Sequence, residues 1–264
     1  MQFLHTNPNY KEFMKIIFLC YFLFFILNIS SAQENPNEKL VYVASYNMNG
    51  LMTTMAQVSI ETELVKTAKT TYLHTGIAAR TFSKWDTYFK VRDVYDSYIH
   101  PTTLKPRLYK RSVSEGEYAK KEKYVFSADG KNIATTTSKK NRPEVKNKVA
   151  IAANTVDIVS LITQMRRLDF QKFKVGDKKN YSIVFDEEEF AVTIKFMGIQ
   201  TITAGNLGAQ KCYKIAIAAN SDVVKGKDQN LIWFTVNKKI PALIKFSIPV
   251  GSGRLILKTV SNLK

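Results

Sequence analysis

From Leu40 onward the chain keeps returning to a period of two, apolar against polar. Such a pattern buries one face only when the backbone is extended, because alternate side chains of a strand point to opposite sides. Residues 40–46 (LVYVASY), 55–63 (MAQVSIETE) and 70–79 (TTYLHTGIAA) each read as strands. Over 87–99 the faces separate clearly. Phe89, Val91, Asp93, Tyr95 and Ile99 lie on one, and Lys90, Arg92, Val94, Asp96 and Tyr98 on the other. Pro101 and Pro106 bracket a turn, and 107–113 runs back with Arg107, Tyr109 and Arg111 on one face. Residues 118–126 alternate again, and Asp129-Gly130 signals a hairpin into 131–137. Further strands are predicted over 181–185, 190–202, 210–219, 231–236, 242–248 and 254–260, with a bulge at Met197-Gly198.

One segment departs from this period. Ile158, Leu161, Ile162, Met165 and Leu168 recur at helical spacing and predict a helix over 155–169. Asn154 or Thr155 would cap it, and Asp157 and Arg166-Arg167 suit the two ends of its dipole. The fold class expected is therefore mainly β. Long bent antiparallel strands would form an open or closed barrel-like sheet with one packed amphipathic helix. The basic stretch 138–148 (SKKNRPEVKNK) reads as an exposed loop. A single domain over 33–264 is expected, with two lobes joined near 138–170 as the alternative.

Residues 16–27 (IIFLCYFLFFIL) form the one long apolar run. At 12 residues it falls short of the roughly 20 that a membrane-spanning helix needs. It fits a secretory leader followed by the small-residue site Ser30-Ser31-Ala32. The expectation is a signal peptide over 1–32, with Met14 as an alternative start to Met1, and a mature chain starting at Gln33 with no transmembrane span. Cys20 lies inside the apolar run after Leu19, so a lipoprotein signal is not expected. Cys212 is then the only cysteine left, and no intramolecular disulfide can form.

Charge is the other anomaly. The chain carries 39 Lys+Arg against 22 Asp+Glu, net +17, and residues 104–180 hold 19 against 8. An exported protein meets little nucleic acid, so the expected partners are lipid, lipopolysaccharide or an acidic envelope protein. Catalytic signals are sparse. The mature chain has only His74 and His100, and no G-x-S-x-G, H-E-x-x-H, C-x-x-C or phosphate-loop motif occurs. Asp186-Glu187-Glu188-Glu189 reads as a solvated turn sooner than a cation site. No cofactor or metal is expected, and no enzymatic activity.

Residues 89–126 (FKVRDVYDSYIHPTTLKPRLYKRSVSEGEYAKKEKYVF) resemble the core of the family catalogued as domain of unknown function 3108. The same order of landmarks continues in VDIVSLITQMRRLDF with FKVGD, in YSIVFDEEEFAVTIKFMG and in LIWFTVNKKIPALIKFSIPVGSGRLIL. Members are exported proteins of Bacteroidota and other Gram-negative bacteria. The resemblance implies a barrel-like β fold in the periplasm; it does not imply an activity. The functional expectation is a non-catalytic binding or carrier module for an apolar or amphipathic envelope ligand. The alternative is a structural or interaction component of the envelope. Lys90, Arg92, Arg107, Tyr109, Arg111 and Trp233 are the residues expected to meet the ligand.

Overall fold

The computed structural model describes residues 37–48, 50–219, 230–248 and 251–262. The leader reading, including Met14, Cys20 and Gln33, lies outside them.

Among the described residues fourteen strands form one antiparallel sheet. The first eight are β1 (Asn37–Met48), β2 (Leu51–Lys66), β3 (Thr71–Thr81), β4 (Arg92–Ile99), β5 (Pro106–Glu115), β6 (Tyr118–Phe126), β7 (Asn132–Lys139) and β8 (Val145–Ala150). They pair in sequence order. A short helix α1 (Ser83–Asp86) joins β3 to β4, and α2 (Ile158–Arg166) follows β8. The second run is β9 (Lys178–Phe185), β10 (Glu188–Thr203), β11 (Ala209–Ala219), β12 (Asn230–Thr235), β13 (Pro241–Ile248) and β14 (Gly251–Asn262). Pairing of β1 with β14 joins the two meanders, and β8 and β9 are the free edges. The sheet is barrel-like but open. The predicted bulge is present: the β10–β11 register shifts between Phe196 and Ile199, at Gly198 with φ of 100°.

The stretch 138–148 is a correction. β7 extends to Lys139 and β8 begins at Val145, so only its middle is a loop. The sequence VKNKVA has no apolar stripe because β8 is an edge strand, exposed along nearly all its length. Lysine at such an edge blocks pairing with another chain.

α2 packs against the sheet and meets residues of both meanders. Leu161 and Met165 join Phe170, Ile194, Phe196, Tyr213, Ile215, Ile232 and Phe234 in one core cluster. The Phe170 ring is 5.1 Å from Tyr213 and 6.0 Å from Phe234. Val159 joins Tyr109, Tyr124, Phe126, Ile133 and Val184 in a second. The helix is shorter than predicted, and its cap is neither Asn154 nor Thr155 but Asp157. The Asp157 carboxylate accepts from the amides of Val159 (3.0 Å) and Ser160 (2.8 Å), and from the hydroxyls of Ser160 (2.6 Å) and Ser97 (2.9 Å). Thr155 instead donates to Glu189 and to Ser182. The predicted stripe also shifts. Ile158 is exposed, whereas Ser160 and Arg166 are buried. A helix enclosed on several sides buries polar positions too, and each needs a partner. Arg166 has one in Glu38 of β1, at 2.7 and 3.2 Å through its two terminal nitrogens.

Candidate functional site

The acidic turn does not simply face water. Asp186 and Glu187 have φ of 51° and 68° between the paired residues Phe185 and Glu188. Two positive φ angles in a two-residue hairpin define a type I′ turn. The turn lies across β5–β8. Asp186 accepts from Arg111 at 2.5 Å and Lys120 at 2.9 Å. Glu187 accepts from Thr135 and Thr137, both at 2.8 Å, and from Asn147 at 2.9 Å, while its amide donates to the Tyr124 hydroxyl. Partial burial opposes ionisation of Asp186, but Lys120 and Arg111 outweigh it and hold its carboxyl below the ordinary range. Solvated-turn and cation-site readings both miss this, because the partners lie on strands far away in sequence.

The six residues expected to meet a ligand are dispersed. Arg111 is engaged by Glu122 (2.9 Å) and Asp186. Tyr109 is a fully buried core residue. Arg92 faces the other side of the sheet and pairs with Asp86 at 2.6 Å. Lys90 is exposed in the loop before β4. Trp233 is buried on the opposite face of β12 from Ile232 and Phe234. Its indole N–H donates to Gln200, and the Lys214 and Lys245 ammoniums each lie 5.5 Å from its ring. The cavity that Arg111 lines also holds Asp96, Glu122 and Glu144, whereas Arg107 lines a cavity whose charged lining is entirely cationic.

That cavity, about 460 Å³, lies where the end of β6 and the start of β5 approach β9. Pro106, Phe126, Val156 and Tyr181 give it apolar walls. Its charged lining is Lys105, Arg107 and Lys179, with no carboxylate. None of the three has a carboxylate within ion-pair distance among the described residues. The Tyr181 hydroxyl is buried without a hydrogen-bond partner. Burial pushes its pKa up to about 12, so it stays a donor.

The walls are fixed locally. Val156 bridges to Ile183 in parallel, donating to Ser182 (3.0 Å) and accepting from Val184 (2.9 Å). Gly130 has φ of 71°, and a Cβ there would sit 2.8 Å from the Ala153 carbonyl oxygen. The β6–β7 turn therefore needs glycine to close this side. The Gln164 amide donates to the Leu104 carbonyl at 3.1 Å and ties α2 to the loop before β5. A volume in the range of small-molecule sites, apolar walls and a few convergent polar groups suit an amphipathic ligand. Three cations face one carboxylate, Glu189, which stands behind the lining and is held by the Thr155 and Ser182 hydroxyls; the net positive lining suits an anionic head. Lys105 and Lys179 lie outside the predicted strands, and Tyr181 starts one with nothing in it that marks a site.

The other chemistry-bearing groups lie apart. His74 bridges Asp96 (2.9 Å) and Glu63 (3.4 Å) and stacks on Tyr98. The Asp96 hydrogen bond leads in raising its pKa. His100 accepts from the Thr102 and Thr103 amides within its turn. Cys212 is buried, and burial pushes its thiol up to about 11. Among the described residues no three His, Cys, Asp or Glu gather as metal ligands.

Asp93, like Asp157, is a carboxyl that burial pushes up outside the ion pairs. Burial pushes it up to about 7; the Ser114 amide opposes this and neighbouring Glu115 adds to it. The folded state then keeps a proton that the unfolded chain releases near 3.8. Stability at this group falls as pH rises from about 4 to about 7, because the folded state binds more protons there. Asp93→Asn keeps an acceptor for the Ser114 amide, 3.0 Å away. The variant is expected to gain about 1–2 kcal/mol near pH 8, after allowing for solvent screening, and to match the parent near pH 4. Thermal melts across this range read out the difference.

The fold and cavity together define a barrel-like β protein with a basic, half-open pocket. The family model described as "Protein of unknown function (DUF3108)" matches residues 41–258, and the chain belongs to that family. No curated protein matches it. Among solved structures it is similar to a β-barrel-like protein of domain of unknown function DUF1849 from Brucella abortus. The TM-score is 0.55 at 9% identity, covering 86% of this chain and 98% of the other. That likeness concerns the fold alone.

Proposed function

We propose that the protein is a non-catalytic binding module of the periplasm that holds an amphipathic anion, a lipid or glycolipid of the envelope, in the cavity at Arg107. The observation that carries this reading is the lining: Lys105, Arg107 and Lys179 with no carboxylate, above apolar walls. The core clusters around α2 argue against cargo enclosed as in a closed barrel, so the ligand would dock its head and first methylenes where β5 and β6 approach β9. The Tyr181 hydroxyl supplies a further donor.

Native mass spectrometry of the protein purified from an envelope fraction, followed by lipid extraction, tests the reading. A co-purifying anionic lipid or glycolipid of defined mass is the expected result. Arg107→Glu should release it with stability changed by no more than about 0.5 kcal/mol, since Arg107 makes no ion pair among the described residues. A ligand-free mass with a clean extract, or a ligand retained by the variant, would overturn it.

A further inference from the structure

The end of the first meander opposite the cavity carries an exposed aromatic rim. The loop containing α1 reads SKWDTYFK over 83–90. Tyr88 is 80% exposed and Phe89 50%. At the same end of the strands Leu51, starting β2, is 71% exposed, and Tyr118, starting β6, is 47% exposed. These turns touch one another. The Lys90 carbonyl accepts from the Gly116 amide at 2.8 Å, and a Cβ on Gly116 would meet the Phe89 ring at 3.3 Å. The Trp85 indole donates to the Thr54 carbonyl at 2.9 Å, and its ring lies 5.9 Å from Tyr88. Apolar side chains this exposed and contiguous mark an interaction surface.

Charge selects the partner. Asp86 is held by Arg92 at 2.6 Å, and Glu117 by Lys140 at 2.9 Å. Lys84 and Lys90 have no carboxylate within ion-pair distance among the described residues. The Lys84 ammonium stands 5.5 Å from the Trp85 ring, inside the patch. Lysine is depleted from the centres of protein–protein interfaces. Aromatic rings beside lysine are instead the composition of the membrane–water boundary. There the rings settle at headgroup level, and each ammonium near an anionic surface adds attraction.

We propose that Trp85, Tyr88, Phe89 and Tyr118, with Lys84 and Lys90, dock the protein reversibly on an anionic bilayer surface. The cavity at Arg107 lies at the other end of the same strands and stays open while the rim is engaged. Reversible binding fits the small number of groups, since peripheral attachment without a lipid anchor is weak.

The test is flotation with vesicles of phosphatidylglycerol and phosphatidylethanolamine, compared with vesicles of phosphatidylcholine. The chain used starts at Gln33, which contains every described strand. It should float with the anionic vesicles only, and Trp85 emission should shift to the blue; Trp233 is already buried and contributes a constant background. The double variant Tyr88→Ser/Phe89→Ser should bind at least about tenfold more weakly. Its melting temperature should be unchanged, because both rings are exposed. Lys84→Glu/Lys90→Glu should weaken binding similarly, whereas Arg107→Glu should leave it intact. Failure of the parent chain to float, or equal binding by the aromatic double variant, would overturn the proposal. So would equal affinity for phosphatidylcholine, or capture of an envelope protein by the rim without lipid.

Discussion

Replacing Arg166 by Met is expected to destabilise the fold by about 3–5 kcal/mol, because it leaves the Glu38 carboxylate buried without its partner. Both side chains are nearly inaccessible, and their two hydrogen bonds join the last turn of α2 to β1 across 128 residues. Taking two charges out of water is costly, and only the pair offsets it. The double variant Arg166→Met/Glu38→Leu removes both charges and should recover most of the loss. In thermal melts the single variant should fall by about 6–20 °C, at roughly 2–4 °C per kcal/mol for a chain of this size. A single-variant loss below about 1 kcal/mol would mean that this contact does not hold the helix in the sheet.

Asp157→Ala is expected to cost about 3 kcal/mol. It removes the cap of α2 and the carboxylate that accepts from the Ser97 and Ser160 hydroxyls, which then keep only each other, 2.9 Å apart. A lost cap is worth about 1 kcal/mol, and the one buried hydroxyl left without an acceptor adds about as much again or more. Asp157→Asn keeps an oxygen for the two amides, and its amide group can donate to the serine oxygens. Burial pushes the Asp157 carboxyl up, against the Ser160 and Ser97 hydrogen bonds, so the neutral replacement also sheds a desolvation cost. It should lie within about 1 kcal/mol of the parent, as chemical denaturation would report. Equal losses for Ala and Asn would show that the carboxylate charge, not the cap, is what matters.

These two residues mark where the sequence becomes hard to read. Strands with one buried face, such as β4 with Asp93, Tyr95 and Ile99 inward, announce themselves by alternation. The β10 bulge is legible because a glycine interrupts that alternation. The helix is legible as a helix but not in its ends. Asn154, Thr155 and Asp157 all have capping chemistry, and only the position of Ser97 on β4 selects Asp157. β8 is hidden because an edge strand has little to bury. The acidic turn and the cavity are hidden for another reason. Arg111 meets Asp186 across 75 residues of chain. The cavity gathers Lys105 and Arg107 from the start of β5 with Lys179 and Tyr181 from β9. No local pattern carries such a pairing, so a strand of alternating Arg and Tyr looked like one site when Tyr109 is core, Arg111 is neutralised and Arg107 alone faces the opening.

The most direct test of the binding role is a calorimetric titration of the chain from Gln33 with dodecyl phosphate, a single-chain amphipathic anion, beside its uncharged counterpart dodecyl glucoside. The account predicts saturable one-to-one binding of the phosphate, markedly weaker binding of the glucoside, and a loss of about tenfold to a hundredfold in Arg107→Glu. Equal affinity for the two amphiphiles, or an Arg107→Glu variant that binds the phosphate as tightly as the parent, would contradict it.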